Sequence, residues 1–229
     1  MKRLLILLFV ASTLHAAEVV KGPVPSWVRA ASVDAPHAEP KNDIRYGIYT
    51  LLDDHQINVT DTVVDYRHRI EKVLTSGGVQ NASELSIDFD PSYQTVVIHS
   101  VELVRRGKRI DELPQAAIRV IDKEDETQDR IYDGTRSALV ILSDVRPGDE
   151  IDYAYSLQGA NPILDGKYAD EFDLTSSTPA HQIRHRLITS RPVRFSIPPT
   201  TQGNGEYVWE KRDVPPIDVE DDIPDWFDP

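Results

Sequence analysis

The sequence predicts an all-β fold, an antiparallel β-sandwich built from many short strands. Three observations carry that prediction. Apolar residues recur with a period of two over strand-length runs, as where Ile151, Tyr153, Tyr155 and Leu157 alternate with Glu150, Asp152, Ala154 and Ser156; this is the pattern of a strand with one buried face. Turn signals cut the chain at short intervals, among them Ser76-Gly77-Gly78, Asp90-Pro91, Arg146-Pro147-Gly148-Asp149, Asn161-Pro162, Asp165-Gly166 and Gly203-Asn204-Gly205. Each supplies the fixed φ of proline or the positive φ open to glycine. Finally, only short helices fit between these turns and no internal repeat of roughly 20–50 residues is present, which points to packed sheets rather than an alternating α/β chain or a solenoid.

Taken in order, residues 1–17 read as a secretory signal peptide. Lys2 and Arg3 form a basic start, residues 4–10 an apolar core too short to span a bilayer, and residues 11–17 a small-residue exit. Cleavage is expected after Ala16 or Ala17. Residues 18–43 form an extended N-terminal arm, because Pro23, Pro25, Pro36 and Pro40 remove backbone donors. Trp27 lies in this arm and is a candidate docking anchor, with packing on its own domain the favoured role. The sandwich domain spans residues 44–212. Ile44, Tyr46 and Ile48 open a first strand, and Asp53-Asp54-His55-Gln56 reads as a loop after it. Val64, Tyr66, His68 and Ile70 share one face of the next strand, with Asp65, Arg67, Arg69 and Glu71 on the other. His68 is expected to be a hydrogen-bonded structural histidine. Ser76-Gly77-Gly78 breaks the pattern. Leu85, Ile87 and Phe89 alternate along another strand, residues 95–104 form one more, and Arg105 to Lys108 make a solvated hairpin turn.

A short strand over residues 118–121 leads into a charged loop, residues 122–130, that lacks the glycine and spacing of an EF-hand calcium loop. The centre of the fold is placed at residues 130–157. The apolar run 138–142 is expected to pair, through the tight turn 146–149, with the alternating strand 151–157. Val140, Ile141, Tyr153 and Tyr155 are expected to be buried there. Ile183, His185 and Leu187 share a later strand face, and Trp209 sits in a strand-like YVWE as a packed residue. Residues 213–229 form an acidic, proline-rich linker or tail ending in Asp225-Trp226-Phe227-Asp228-Pro229, whose Trp226 and Phe227 are candidate partner-binding residues.

Composition narrows the function classes. With 25 basic and 38 acidic residues the formal charge is −13, and removing the leader with Lys2 and Arg3 makes it more negative. Such a surface repels nucleic acid and anionic membrane. The chain has no cysteine, so it carries neither a thiol nucleophile nor a cysteine-ligated metal. No G-x-S-x-G elbow, phosphate-binding loop or H-E-x-x-H helix occurs. His181 and His185 stand four apart on a strand pattern, too far to share one ion unaided. No catalytic, cofactor-binding or metal-binding residue is assigned.

Tyr66-Arg67-His68-Arg69-Ile70, the stretch SIDFDPSYQTVVIHSVELVRRGKRID over residues 86–111, Ile131-Tyr132-Asp133-Gly134 and residues 143–153 together carry a resemblance. Over about residues 44–212 the chain resembles the bacterial domain of unknown function that lies N-terminal to transglutaminase-like, papain-fold domains in exported proteins. The resemblance implies a β-rich domain with no catalytic residue of its own, any activity residing in a Cys-His-Asp domain absent from these residues. The expected function is a non-catalytic exported domain, periplasmic or extracellular, that packs on, positions or regulates such a partner. The alternatives are a glycan-binding module of the cell envelope, marked by aromatics clustered around a groove, and a carboxylate-dependent hydrolase, marked by a buried carboxylate pair in a pocket.

Overall fold

A computed structural model describes residues 18–31, 33, 39–41, 44–60, 62–122 and 134–217. The expected signal peptide, most of the charged loop and the candidates Trp226 and Phe227 lie outside the described residues. The strands are β1 (Val19–Lys21), β2 (Ile48–Val59), β3 (Val63–Val73), β4 (Glu84–Phe89), β5 (Thr95–Arg105), β6 (Lys108–Asp111), β7 (Ala117–Asp122), β8 (Arg136–Ile141), β9 (Glu150–Gln158), β10 (Ala180–Thr189), β11 (Thr201–Gly203) and β12 (Glu206–Val214). One α-helix, α1 (Ser76–Ala82), and two 3₁₀ turns, Arg45–Gly47 and Pro162–Leu164, complete the elements. No helix among the described residues is long and apolar enough to cross a membrane.

The fold is all-β. A nine-stranded sheet runs β1-β5-β9-β3-β2-β10-β12-β11, with β6 also paired to β5, and a three-stranded sheet runs β4-β8-β7. Most pairings are antiparallel, but β1 joins β5 and β10 joins β2 in parallel. A parallel neighbour needs a long crossover, and the segment between β9 and β10, residues 159–179, provides it. The small sheet covers one end of the inner face of the large one. Leu85, Ile87, Phe89, Ala138 and Val140 from the small sheet meet Val96, Ile98, Val101, Leu103, Ile151 and Tyr153 from the large one in a single buried cluster. The strict in–out alternation of β4 follows from this, since its Leu85, Ile87 and Phe89 are buried while Glu84, Ser86 and Asp88 are not.

The structure corrects several local expectations. Residues 138–142 and 151–157 do not pair with each other. Strand β8 lies between β4 and β7, whereas β9 lies between β3 and β5. The turn 146–149 is an arch that carries the chain from one sheet to the other, across a gap of about 10 Å. Its Asp149 carboxylate accepts from the Arg105 guanidinium at 2.8 and 2.7 Å and from the Arg146 amide at 2.7 Å, which fixes the arch. Val140 and Tyr153 are buried as expected, while Ile141 and Tyr155 are half-buried. Tyr46 belongs to a 3₁₀ turn at φ 59° rather than to a strand.

Ser76-Gly77-Gly78 starts α1 instead of a loop. Thr75 caps it, its hydroxyl accepting from the Gly78 amide at 3.2 Å. Glycine is required there by close approach, because a Cβ on Gly78 would lie 2.1 Å from the Gly47 carbonyl oxygen.

Asp53-Asp54-His55-Gln56 is no loop either. These residues form the middle of β2, bonded to β3 on one side and β10 on the other, with Asp54, His55 and Gln56 almost fully buried. Both faces of β2 are covered. On the outer face runs the N-terminal arm, fixed by paired bonds between Gln56 and the Arg29 backbone (3.1 and 2.6 Å) and by Arg186 donating to the Trp27 carbonyl at 3.0 Å. On the inner face, beyond the reach of the small sheet, lie the segments before β10 and before β11.

Candidate functional site

One register level crosses the large sheet as a row of chemically capable side chains. Backbone pairing aligns Tyr155 of β9 with Arg67 of β3, Arg67 with His55 of β2, His55 with His185 of β10, and His185 with Trp209 of β12. Because facing residues in a sheet project to the same side, all five stand on the inner face. The adjoining level supplies Asp65.

Within this row His55 Nδ1 lies 3.1 Å from His185 Nδ1, the rings meeting edge to face at 73°. His55 Nε2 lies 2.8 Å from the Asp65 carboxylate, outside regular hydrogen-bond geometry. Arg67 flanks the same carboxylate at 3.3 Å. At the far end His185 Nε2 donates to the Asp173 carbonyl at 3.1 Å. That bond leaves His185 Nδ1 as an acceptor in the neutral ring, so His55 Nδ1 is the donor between the two histidines.

The electrostatics agree with this arrangement. Burial pushes His185 down to about 4, and the charge of His55 acts in the same direction. Burial alone would raise Asp65, but the neighbouring His55 and the charge and hydrogen bonds of Arg67 outweigh it and hold the carboxyl at about 2. The result is a carboxylate–histidine–histidine chain that ends on a backbone carbonyl of the covering segment.

The covering segments add an aromatic layer. Phe172 stacks on His185 with centroids 4.3 Å apart and meets Trp209 edge-on at 4.9 Å. Phe195 meets the other side of Trp209 at 5.0 Å. Trp209 itself is 1% exposed and its indole N–H donates to the Ile197 carbonyl at 3.0 Å. Each covering segment is thus held to the sheet by a ring N–H on one of its carbonyls. Between them lies a cavity of about 500 Å³ whose walls include Ile57, Leu187, Phe172, Phe195 and Trp209 and whose rim carries Lys167, Asp170, Arg191 and Arg194. A smaller cavity of about 280 Å³ lies across the strap 167–170, towards Asp65, Tyr93 and Leu157. A further concavity of about 930 Å³ is a polar depression on the outer face of the small sheet, where Arg136 is engaged by Glu18 and Asp122. Among the described residues no group of three or more His, Asp or Glu side chains is placed to hold a metal ion.

The outer face of the sheet is equally polar and equally paired. Arg184 donates to Asp54 at 2.7 Å, Gln56 donates to Asp54 at 2.6 Å, and Arg186 bridges Gln56 and Glu206 at 2.9 Å each. His68 is the hydrogen-bonded structural histidine expected, 2.7 Å from Asp152, and His181 is likewise paired with Asp213 at 2.9 Å. Trp27 is half-buried on this outer face, away from the cavity. Sequence reasoning gave no site role to His55, Asp65, Phe172 or Phe195. The one signal for His55 was its position between the apolar runs 48–52 and 57–59, which an acidic pair disguised as a loop.

Among solved structures, the chain is similar to a protease candidate from Parabacteroides distasonis, with a TM-score of 0.61 and 16% identity over 78% of this chain and 38% of that one. A second similarity is to native leukotriene A4 hydrolase from Saccharomyces cerevisiae, with a TM-score of 0.43 and 15% identity over 80% of this chain and 30% of that one. The first likeness is one of fold; the chain spans well under half the length of either protein. No curated protein sequence matches. Among family models, that of a domain of unknown function with solved structure, DUF3857, matches residues 60–218, and the chain belongs to that family.

Proposed function

We propose that this chain is a non-catalytic, exported β domain that packs on and positions a transglutaminase-like partner domain. The observation that carries the reading is the inward commitment of its reactive side chains. Asp65, His55 and His185 form a chain that ends on the Asp173 carbonyl, and Asp54 is taken by Arg184 and Gln56. His55 is 1% and His185 7% exposed. A general base must reach a substrate proton within hydrogen-bond distance, and these histidines instead hold the covering segments to the sheet. The occurrence of the same fold as 38% of a longer protease candidate supports a role beside a larger partner. The Ile217 amide donates to the Ser176 carbonyl at 2.8 Å, which holds the last described residue beside the segment before β10; Trp226 and Phe227, later in the sequence, are the anchors proposed for the partner.

The other readings draw less support. A glycan platform offers broad aromatic faces to a sugar, whereas the rings of Phe172, Phe195 and Trp209 are turned onto one another. A carboxylate-dependent hydrolase needs two carboxylates sharing a site, whereas Asp54 and Asp65 are each paired with an arginine, Arg184 and Arg67.

Calorimetric titration against a separately expressed transglutaminase-like domain tests the proposal. Binding is expected, and Trp226→Ala should weaken it about thirtyfold without moving the melting temperature. Lack of association by the intact chain, or peptidase or glycosidase turnover that disappears on mutating one carboxylate, would overturn it.

A further inference from the structure

We infer that the cavity between the segments before β10 and before β11 is a binding site for a small amphipathic carboxylate, with the apolar body inside and the carboxylate at the rim. This inference is independent of the partner-domain reading. The first support is the cavity's size and wall chemistry. Its volume of about 500 Å³ falls within the ~300–1,000 Å³ of small-molecule sites. Ile57, Val59, Leu187, Phe172, Phe195 and Trp209 line it. An empty space of this kind forfeits packing energy, and apolar walls give water few partners; an apolar body restores both.

The second support is preorganisation. The roof is fixed from two sides, by His185 on the Asp173 carbonyl and by Trp209 on the Ile197 carbonyl, at 3.1 and 3.0 Å. The walls therefore need not be ordered by the ligand, which lowers the cost of binding.

The third support is charge. The rim carries Lys167, Arg191 and Arg194 with one carboxylate, Asp170. Asp170 already accepts from the Tyr168 hydroxyl at 2.9 Å, and Arg191 donates to the Gly166 carbonyl. Among the described residues, no hydrogen bond or ion pair holds the Lys167 ammonium or the Arg194 guanidinium. In a chain of net charge −13, where Arg67, Arg105, Arg109, Arg136, Arg184 and Arg186 all meet carboxylates, two cations with no partner among the described residues, standing beside an aromatic cavity, point to an anionic ligand with an apolar body. A neutral ligand would leave them unused, and a cationic one would be repelled.

The test titrates the full chain with 4-phenylbutyrate, 4-phenyl-1-butanol and butyrate by calorimetry, following the Trp209 indole N–H by NMR. The expected result is saturable binding of 4-phenylbutyrate that shifts Trp209 and residues 167–170 and 191–195. The alcohol, which loses the charge-assisted bonds, and butyrate, which loses the apolar body, should each bind about tenfold more weakly or worse. Lys167→Ala/Arg194→Ala should weaken the carboxylate about tenfold while leaving the alcohol unchanged. Val193→Trp, which fills the space from a half-exposed wall position, should abolish binding of both. Melting temperatures identify any variant that fails to fold, and the ligand series with the unaltered chain decides the question without variants. Equal binding of alcohol and carboxylate, shifts confined to other regions, or no binding of 4-phenylbutyrate up to its solubility limit would each overturn the inference.

Discussion

Replacing His185 with phenylalanine should flatten the response of the fold to acid. An ordinary histidine titrates near 6.5, and in the folded chain burial and the neighbouring His55 push His185 down to about 4. The unfolded chain therefore takes up a proton at this position well before the folded chain does. Stability from the neutral, buried ring is fully present above pH ~6.5 and is lost as the pH falls towards ~4, the loss amounting to about 3 kcal/mol at 1.36 kcal/mol for each tenfold difference in proton affinity. Asp65 acts in the same direction but in a lower window, between 3.8 and about 2, so the two contributions separate by pH. Phenylalanine keeps a ring against Phe172, at 4.3 Å in the parent chain, but gives up the bonds to Asp173 and His55. Near neutrality the variant should thus be less stable by roughly 1–3 kcal/mol. At about pH 4 the difference should vanish or reverse, because the parent has lost its own contribution. Urea unfolding followed by far-ultraviolet circular dichroism at several pH values measures this. Parallel stability curves for parent and variant would show that His185 is not the proton-linked group and that the chain from Asp65 to Asp173 is drawn wrongly.

Two further perturbations probe the frame that positions this site. Val140 is fully buried at the centre of the small sheet, so Val140→Ala should cost about 2 kcal/mol in urea unfolding, and half-buried Ile141 cut to alanine should cost no more per methylene removed; an unchanged midpoint for Val140→Ala would contradict the placement of β8. Gly78→Ala brings a Cβ to 2.1 Å from the Gly47 carbonyl oxygen, and should lower stability by more than about 1 kcal/mol although alanine is the better helix former; a gain in stability would mean the two backbones do not approach so closely.

What was legible in the sequence depended on whether one face of a strand meets solvent. The alternation in β4 translates directly into burial because only Leu85, Ile87 and Phe89 face the other sheet. The same alternation in β3 misleads. Tyr66 and His68 do share a face, but that face lies towards the N-terminal arm, while Arg67 and Asp65 on the supposedly solvated side join Tyr155 and His55 beneath the covering segments. Strand β2 is the limiting case, covered on both faces and carrying Asp53-Asp54-His55-Gln56, which any hydropathy pattern reads as a loop. The information that makes it a strand lies elsewhere in the chain, in Arg184, Arg186, Arg67 and Arg69, each of which lies against one of its polar groups. Burial of charge is tolerated only when a partner meets it, and those partners come from strands that are up to 130 positions away in sequence.

The unequal sizes of the two sheets explain why the candidate site lies where it does. Three strands cannot cover nine, and the buried core they form reaches β5, β9, the start of β2 and the end of β3, with Val19 of β1 and Ile110 of β6 packed against it. Past that boundary the inner face of the large sheet must be covered by irregular chain, whose backbone groups need partners. His185 and Trp209 supply two of them through ring N–H donors, which an aliphatic side chain lacks. This accounts for histidine and tryptophan at strand positions where Leu or Val would bury more simply. It also accounts for the cavity: segments anchored at Asp173 and Ile197 are fixed at points rather than packed along their length, and the space between the anchors is left to Phe172, Phe195 and whatever the cavity binds. The polar chain from Asp65 to Asp173 and the apolar cavity beside it are two consequences of one architectural shortfall.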